Sequence, residues 1–169
     1  MNLSNKITIV RILLVPLFVL SVLYSNIFST LSLLFLIFIS DMLDGYFARK
    51  RDEVTKLGQI LDPIADKFFA VSALLALFYR HNLALWYLPL LLIREIGFLI
   101  ILPVMFSKKA RKRINYGSAW PGKLTTFMQG VVIFLLVVGY KSILPFVLLT
   151  ATIAVISLVF YIGRGIRHI

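Results

Sequence analysis

Asp41-Met-Leu-Asp44-Gly45-Tyr-Phe-Ala48-Arg49 closes one long apolar run, and Gly58-Gln-Ile-Leu-Asp62-Pro-Ile-Ala-Asp66 opens the next. Four carboxylates thus sit inside a stretch that otherwise reads as membrane helices. On insertion scales a charged side chain at the centre of a spanning helix costs about 2.5–3.5 kcal/mol. Packing alone gives no reason to carry that cost four times within one short stretch. The stretch therefore marks a polar, ion-binding site at the edge of a bilayer, set in an all-α membrane domain.

Composition supports the same class. The chain has 169 residues, 60% of them hydrophobic, and a mean hydropathy of +0.96. A soluble domain of this length cannot hide that much apolar surface in one core. The expectation is a single polytopic domain over 1–169, with no cleavage site after Met1-Asn-Leu-Ser-Asn-Lys6 and that end retained. The absence of cysteine excludes disulfides and thiolate metal sites. The net charge of +11 comes from Lys and Arg at the ends of apolar segments, without the aromatic-rich module of a single-strand reader. Membrane lipid headgroups and phosphorylated substrates are the expected partners, and nucleic acid is not.

Six apolar stretches are predicted as transmembrane helices, near 7–24, 29–48, 58–80, 84–106, 122–140 and 143–163. Orientation follows from the basic residues near the ends of these spans. Of the 18 Lys and Arg, all but Arg80 and Lys141 fall on one side. That side is the cytoplasm, and it holds both termini and the acidic motif. The Lys108-Lys-Ala-Arg111-Lys-Arg113 run is in the first place a topology signal on a cytoplasmic loop. Trp86, Tyr87 and Trp120 fit interfacial anchors. His81 is placed in a short outer loop and His168 at the C-terminal end, neither with metal-ligating company.

Helical spacing turns the motif into chemistry. Asp41 and Asp44 are three residues apart and Asp62 and Asp66 four apart, so each pair shares one helix face. Gly45 and Gly58 lie on those faces and let a ligand or backbone come close. Two such helices facing each other form an oxygen-rich cage for two hard divalent cations, Mg²⁺ or Mn²⁺. A two-metal carboxylate site suits displacement at phosphorus, and the planar fork of Arg49 suits a phosphate.

With these residues in view, the chain resembles the CDP-alcohol phosphotransferase family. The family pattern, D-x-x-D-G-x-x-A-R-x8-G-x3-D-x3-D, is filled at every fixed position by Asp41, Asp44, Gly45, Ala48, Arg49, Gly58, Asp62 and Asp66. The resemblance implies a homodimeric membrane enzyme that transfers a substituted phosphoryl group from a CDP-linked donor to a hydroxyl, releasing cytidine monophosphate (CMP). It implies Asp41, Asp44, Asp62 and Asp66 as metal ligands, with Asp66 also the candidate general base. It implies Gly45, Ala48, Arg49 and Gly58 as the pocket for cytidine and diphosphate.

The opening Asn2-Leu-Ser-Asn5-Lys-Ile-Thr8-Ile-Val-Arg11 and the Thr55–Lys67 run resemble the branch of that family whose donor is CDP-diacylglycerol and whose acceptor is glycerol 3-phosphate. Arg94-Glu95 and Gly122-Lys123-Leu-Thr-Thr126 resemble it too. Arg94, Lys123 and Arg111 are the candidate holders of the acceptor phosphate. Leu102 stands where that branch carries a second arginine, which keeps open the cardiolipin-forming branch, with phosphatidylglycerol as acceptor. Arg11 divides between a lipid-facing anchor and a role in the donor pocket, and Glu95, beside Arg94, is expected to support an ion pair or polar network rather than to act catalytically. A divalent-cation transporter is the rival from another class, yet no acidic path leads away from the motif. A catalytically dead scaffold is disfavoured by the filled motif.

Overall fold

The computed structural model describes residues 3–50, 56–93, 95–97 and 120–166, with side chains over 7–43, 64–93, 95–97, 120 and 122–159. These residues form helices α1 (Leu3–Leu23), α2 (Ile27–Lys50), α3 (Lys56–His81), α4 (Tyr87–Leu91), α5 (Trp120–Val138) and α6 (Leu144–Ile166), and no strand is present among them. Five of the six predicted apolar stretches coincide with helices to within a few residues. The fourth is interrupted. α4 stops at Leu92 (φ −98°, ψ 8°), helix resumes at 93 and 95–97, and the rest of that stretch lies outside the described residues. His81, expected in a loop, is instead the last residue of α3.

The chain divides into two compact units, Met1–Leu83 with Val137–Gly139, and Ala84–Leu136 with Tyr140–Ile169. In the first unit α1 packs against both α2 and α3. Its buried stripe runs Thr8, Arg11, Val15, Phe18, Val22, the three-and-four spacing of one helix face. Leu34 and Ile37 of α2 and Ala65, Phe69, Ala73 and Leu77 of α3 complete this core. The alanines let the helix axes approach closely. Phe69 meets Phe18 edge-on at a centroid distance of 5.5 Å and Phe38 at 6.2 Å, an arrangement that aromatic quadrupoles favour. The hydroxyls of Ser21 and Thr30 lie 3.0 Å apart across α1 and α2.

In the second unit α4 packs on α6, and Leu91, Val132, Ile133, Leu136, Val147, Ala151 and Ala154 are buried. A Cβ on Gly97 would stand 2.5 Å from Leu158 Cδ2, so glycine permits that close approach.

Three helix ends share one device. The amide of Ser25 reaches Val22 O at 3.1 Å and that of Asn26 reaches Ser21 O at 3.2 Å, with Ser25 left-handed at φ 59°. Asn82 (φ 50°) does the same after α3 and Gly139 (φ 83°) after α5. Each residue turns the chain sharply and satisfies carbonyls that the last helical turn leaves open. Asn26 then starts α2, its Oδ1 accepting from the Ser29 amide at 3.1 Å.

Taken over the described side chains, no helix is long and apolar enough to cross a membrane. In α2 these side chains cover 27–43, short of the roughly 20 residues a span requires.

Candidate active site

The site is assembled where the core stripes of three helices reach their polar ends. Asp41 follows the buried Ser40 on α2, and Asp66 follows the buried Ala65 on α3. Each therefore sits at the rim of its buried face. Between them lies Arg11 of α1, in the middle of that helix's buried stripe and only 1% exposed. Its Nη2 stands 3.0 Å from Asp41 Oδ1, and its Nη1 donates to Asp66 Oδ1 at 2.8 Å. One planar guanidinium thus joins two carboxylates from two different helices, a use of its fork that an ammonium cannot copy. The carboxylate side chains are 53% and 48% exposed. The cation is on the inside, and the anions look outward.

The helical backbone of α2 continues through Asp44, Gly45, Ala48 and Arg49, and that of α3 begins before Gly58 and runs through Asp62. The three- and four-residue spacings therefore do fall on helix, which is what the shared-face argument needs. The side chains of these six residues lie outside those described. So do Arg94 and Arg111 altogether. Lys123 is exposed in the first turn of α5.

Asp41 and Asp66 are hard oxygen donors of the kind that Mg²⁺ and Mn²⁺ take. Their convergence on one guanidinium from separate helices, half open to ligand, fits them for that use. Among the described residues no group of three or more metal-ligating side chains is present. Asp44 and Asp62, which the motif adds, have no described side chains.

Over residues 1–162 the chain matches the family model for CDP-alcohol phosphatidyltransferase. The chain belongs to that family. It is accordingly an enzyme, a CDP-alcohol phosphatidyltransferase, as the motif led one to expect. Among its relatives, a probable phosphatidylglycerophosphate synthase of Mycobacterium tuberculosis (strain H37Rv) is 34% identical over 185 aligned positions, spanning 99% of this chain and 83% of that protein. A CDP-diacylglycerol–glycerol-3-phosphate 3-phosphatidyltransferase of Aquifex aeolicus is 40% identical over 102 positions, 59% of this chain and 57% of its own. One from Haemophilus influenzae is 32% identical over 132 positions, 76% and 71% of the two chains.

The sequence of this phosphatidyltransferase singles out Arg11 and Glu95 without naming their partners. Arg11 proves to be neither lipid-facing nor free in its position, because it is buried and ion-paired. The signal was available, since Arg11 follows Thr8 and precedes Val15 on an apolar stripe, where an arginine must find a polar partner. In the second unit, Gln129 is 3% exposed and its Nε2 donates to Glu95 Oε2 at 2.9 Å and to Leu91 O at 2.7 Å. Glu95 thus takes part in a polar network among the described residues, in keeping with the supporting role expected of it.

Proposed function

We propose that this phosphatidyltransferase moves a phosphatidyl group from CDP-diacylglycerol to glycerol 3-phosphate and releases CMP, at the cytoplasmic face of a cell or inner membrane. The observation that carries the reading is the convergence of Asp41 and Asp66, the first and last carboxylates of the motif, at one half-open position. The choice of donor and acceptor is supported by the names of the relatives.

In the transfer, the acceptor's hydroxyl oxygen forms a bond to the phosphorus that carries diacylglycerol. The bond from that phosphorus to the bridging oxygen breaks, and its electron pair leaves with CMP. Asp66 takes the hydroxyl proton. Its side chain is open enough for a hydroxyl to come within hydrogen-bond reach, the first requirement of a base. Asp41, Asp44, Asp62 and Asp66 would hold two divalent cations, Mg²⁺ or Mn²⁺, which when bound neutralise the diphosphate and the charge developing on the leaving oxygen. Arg49 holds a donor phosphate, while Gly45, Ala48 and Gly58 leave room for the nucleotide. Arg94, Arg111 and Lys123 hold the phosphate of the acceptor.

Membrane integration is supported by helix length and surface. The five long helices have 19 to 26 residues, about 28–39 Å at 1.5 Å per residue, against a hydrocarbon core of about 30 Å. Leu13, Leu17 and Leu20 of α1 and Phe28 and Phe35 of α2 are exposed on faces turned away from the core. Apolar faces on both sides of a helix suit lipid better than water. The charge asymmetry along the chain supports six spans with both termini cytoplasmic. One domain over 1–169 is supported by a family match that runs across both units. A homodimer rests on the resemblance to the family.

The test is CMP release by purified protein given CDP-diacylglycerol, Mg²⁺ or Mn²⁺, and one acceptor at a time. Release driven by glycerol 3-phosphate is the expected result. Release with phosphatidylglycerol alone would replace the acceptor by that of the cardiolipin branch. Cation passage across vesicles with no CMP release would overturn the reading.

A further inference from the structure

The geometry points to Arg11 as a positioning residue of the reaction: it sets the distance between Asp41 and Asp66 and supplies part of the counter-charge that a divalent cation otherwise supplies alone. The cation in this statement rests on the function proposed above, and the rest on the ion pairs themselves.

Arg11 belongs to α1, which holds none of the motif positions. Its Nη2 and Nη1 reach Asp41 and Asp66 at 3.0 and 2.8 Å, one terminal nitrogen to each, so the width of a single guanidinium governs how far apart the two Oδ1 atoms sit. The group is enclosed, with Thr8 and Val15 buried on either side of it along α1. Both carboxylates are about half exposed. A cation or a substrate hydroxyl therefore approaches from the open side and meets the carboxylates first. Arg11 stays behind them, acting on the chemistry through two aspartates and touching neither donor nor acceptor.

This arrangement divides the neutralisation of one acidic cluster between a permanent charge and a mobile one. Close carboxylates repel strongly in a low-dielectric setting. With Arg11 present, α2 and α3 can hold their acidic ends together before any cation arrives, and the ligand oxygens are already in place when it does. Without it, the cation must both gather the helices and serve the reaction.

The experiment uses the full-length protein in detergent, with Arg11→Gln and Arg11→Lys beside the wild type. Thermal unfolding is followed with and without Mn²⁺, and turnover is measured against CDP-diacylglycerol concentration. Mn²⁺ should raise the unfolding temperature of the wild type. The Gln variant should start lower and gain at least about twice as much, because the cation now takes over the missing counter-charge. Lys keeps the charge and loses the fork, so its gain should match that of the wild type. In the Gln variant kcat should fall about 10–100-fold, as for groups that orient metal ligands, with the donor KM within about twofold of wild type. Equal gains in wild type and Gln variant would make Arg11 ordinary packing and overturn the inference. A raised donor KM with kcat unchanged would make it a donor-binding group and overturn it equally. No gain in the wild type would remove the cation from the proposed function and this inference with it, and the wild type alone identifies that case. If the Gln variant folds in neither condition, the Lys variant decides: its lowered kcat at unchanged donor KM supports the inference, and wild-type kcat overturns it.

Discussion

Each unit of the molecule buries a polar cluster, and the two are built on opposite plans. In the first, a single buried cation holds two anions that face outward, drawn from three helices. In the second, Glu95 is 6% exposed and Gln129 3%, and Gln129 donates to two groups of its own unit, Glu95 Oε2 and the Leu91 carbonyl. The second cluster is closed. A buried network whose members satisfy one another adds rigidity and register. The first cluster leaves half of each carboxylate open, which stability alone does not call for. Openness, more than the presence of charge, is what separates the site from the scaffold.

That distinction can be tested by removing each part in turn. The largest effect falls on the open cluster, where Asp41→Asn or Asp62→Asn should lower CMP release by about 100-fold or more, the scale of losing a charge that stabilises a transition state, with Asp62→Asn leaving the unfolding temperature close to wild type and Asp41→Asn lowering it through the loss of an Arg11 ion pair. Wild-type turnover in Asp62→Asn would sink the mechanism. Replacing Asp41 and Asp66 together by Asn takes both of these carboxylates from the buried Arg11, and should cost about 3–5 kcal/mol. Adding Arg11→Met to that pair should restore most of the loss, read by thermal unfolding. In the closed cluster, Gln129→Leu deprives a carboxylate oxygen and a carbonyl of their donor and should cost about 1–3 kcal/mol, without altering kcat. A drop in kcat at unchanged stability would show that the second unit shares in the chemistry. The smallest effect lies in neither cluster: Ser25→Gly relieves a left-handed serine and should stabilise by about 0.5–1 kcal/mol, a shift that calorimetry can resolve.

Much of this fold is legible in the sequence. The helices from 3 to 23, 27 to 50, 56 to 81, 120 to 138 and 144 to 166 follow from apolar runs bounded by polar turns, since hydropathy reports burial directly. The pairing of Asp41 with Asp44 and of Asp62 with Asp66 on shared faces needs only the helical period. The break at Leu92 was not legible, because Leu and Ile run on through it and hydropathy does not register a change of backbone angle. Ser25 gave no warning either, as serine is an uncommon choice for a left-handed position that glycine fills at 139. Arg11 stands out in the sequence as a charge on an apolar stripe, but the sequence does not name its partners. Its partners lie 30 and 55 residues further along, and no local period connects residues so far apart.

With the membrane integration proposed above, that separation also bears on how the chain would enter a bilayer. α1 is made before α2 and α3, with Arg11 in the middle of its buried stripe and neither Asp41 nor Asp66 yet there to pair with it. At roughly 5–20 residues per second, the 55 residues to Asp66 take about 3–11 s to follow. During that interval α1 is a poor passenger for the hydrocarbon on its own. On the proposed membrane integration, the bundle of α1, α2 and α3 is the smallest piece in which Arg11 meets both Asp41 and Asp66, and nascent chains halted before Asp41 and after Asp66 should differ sharply in how firmly α1 is inserted.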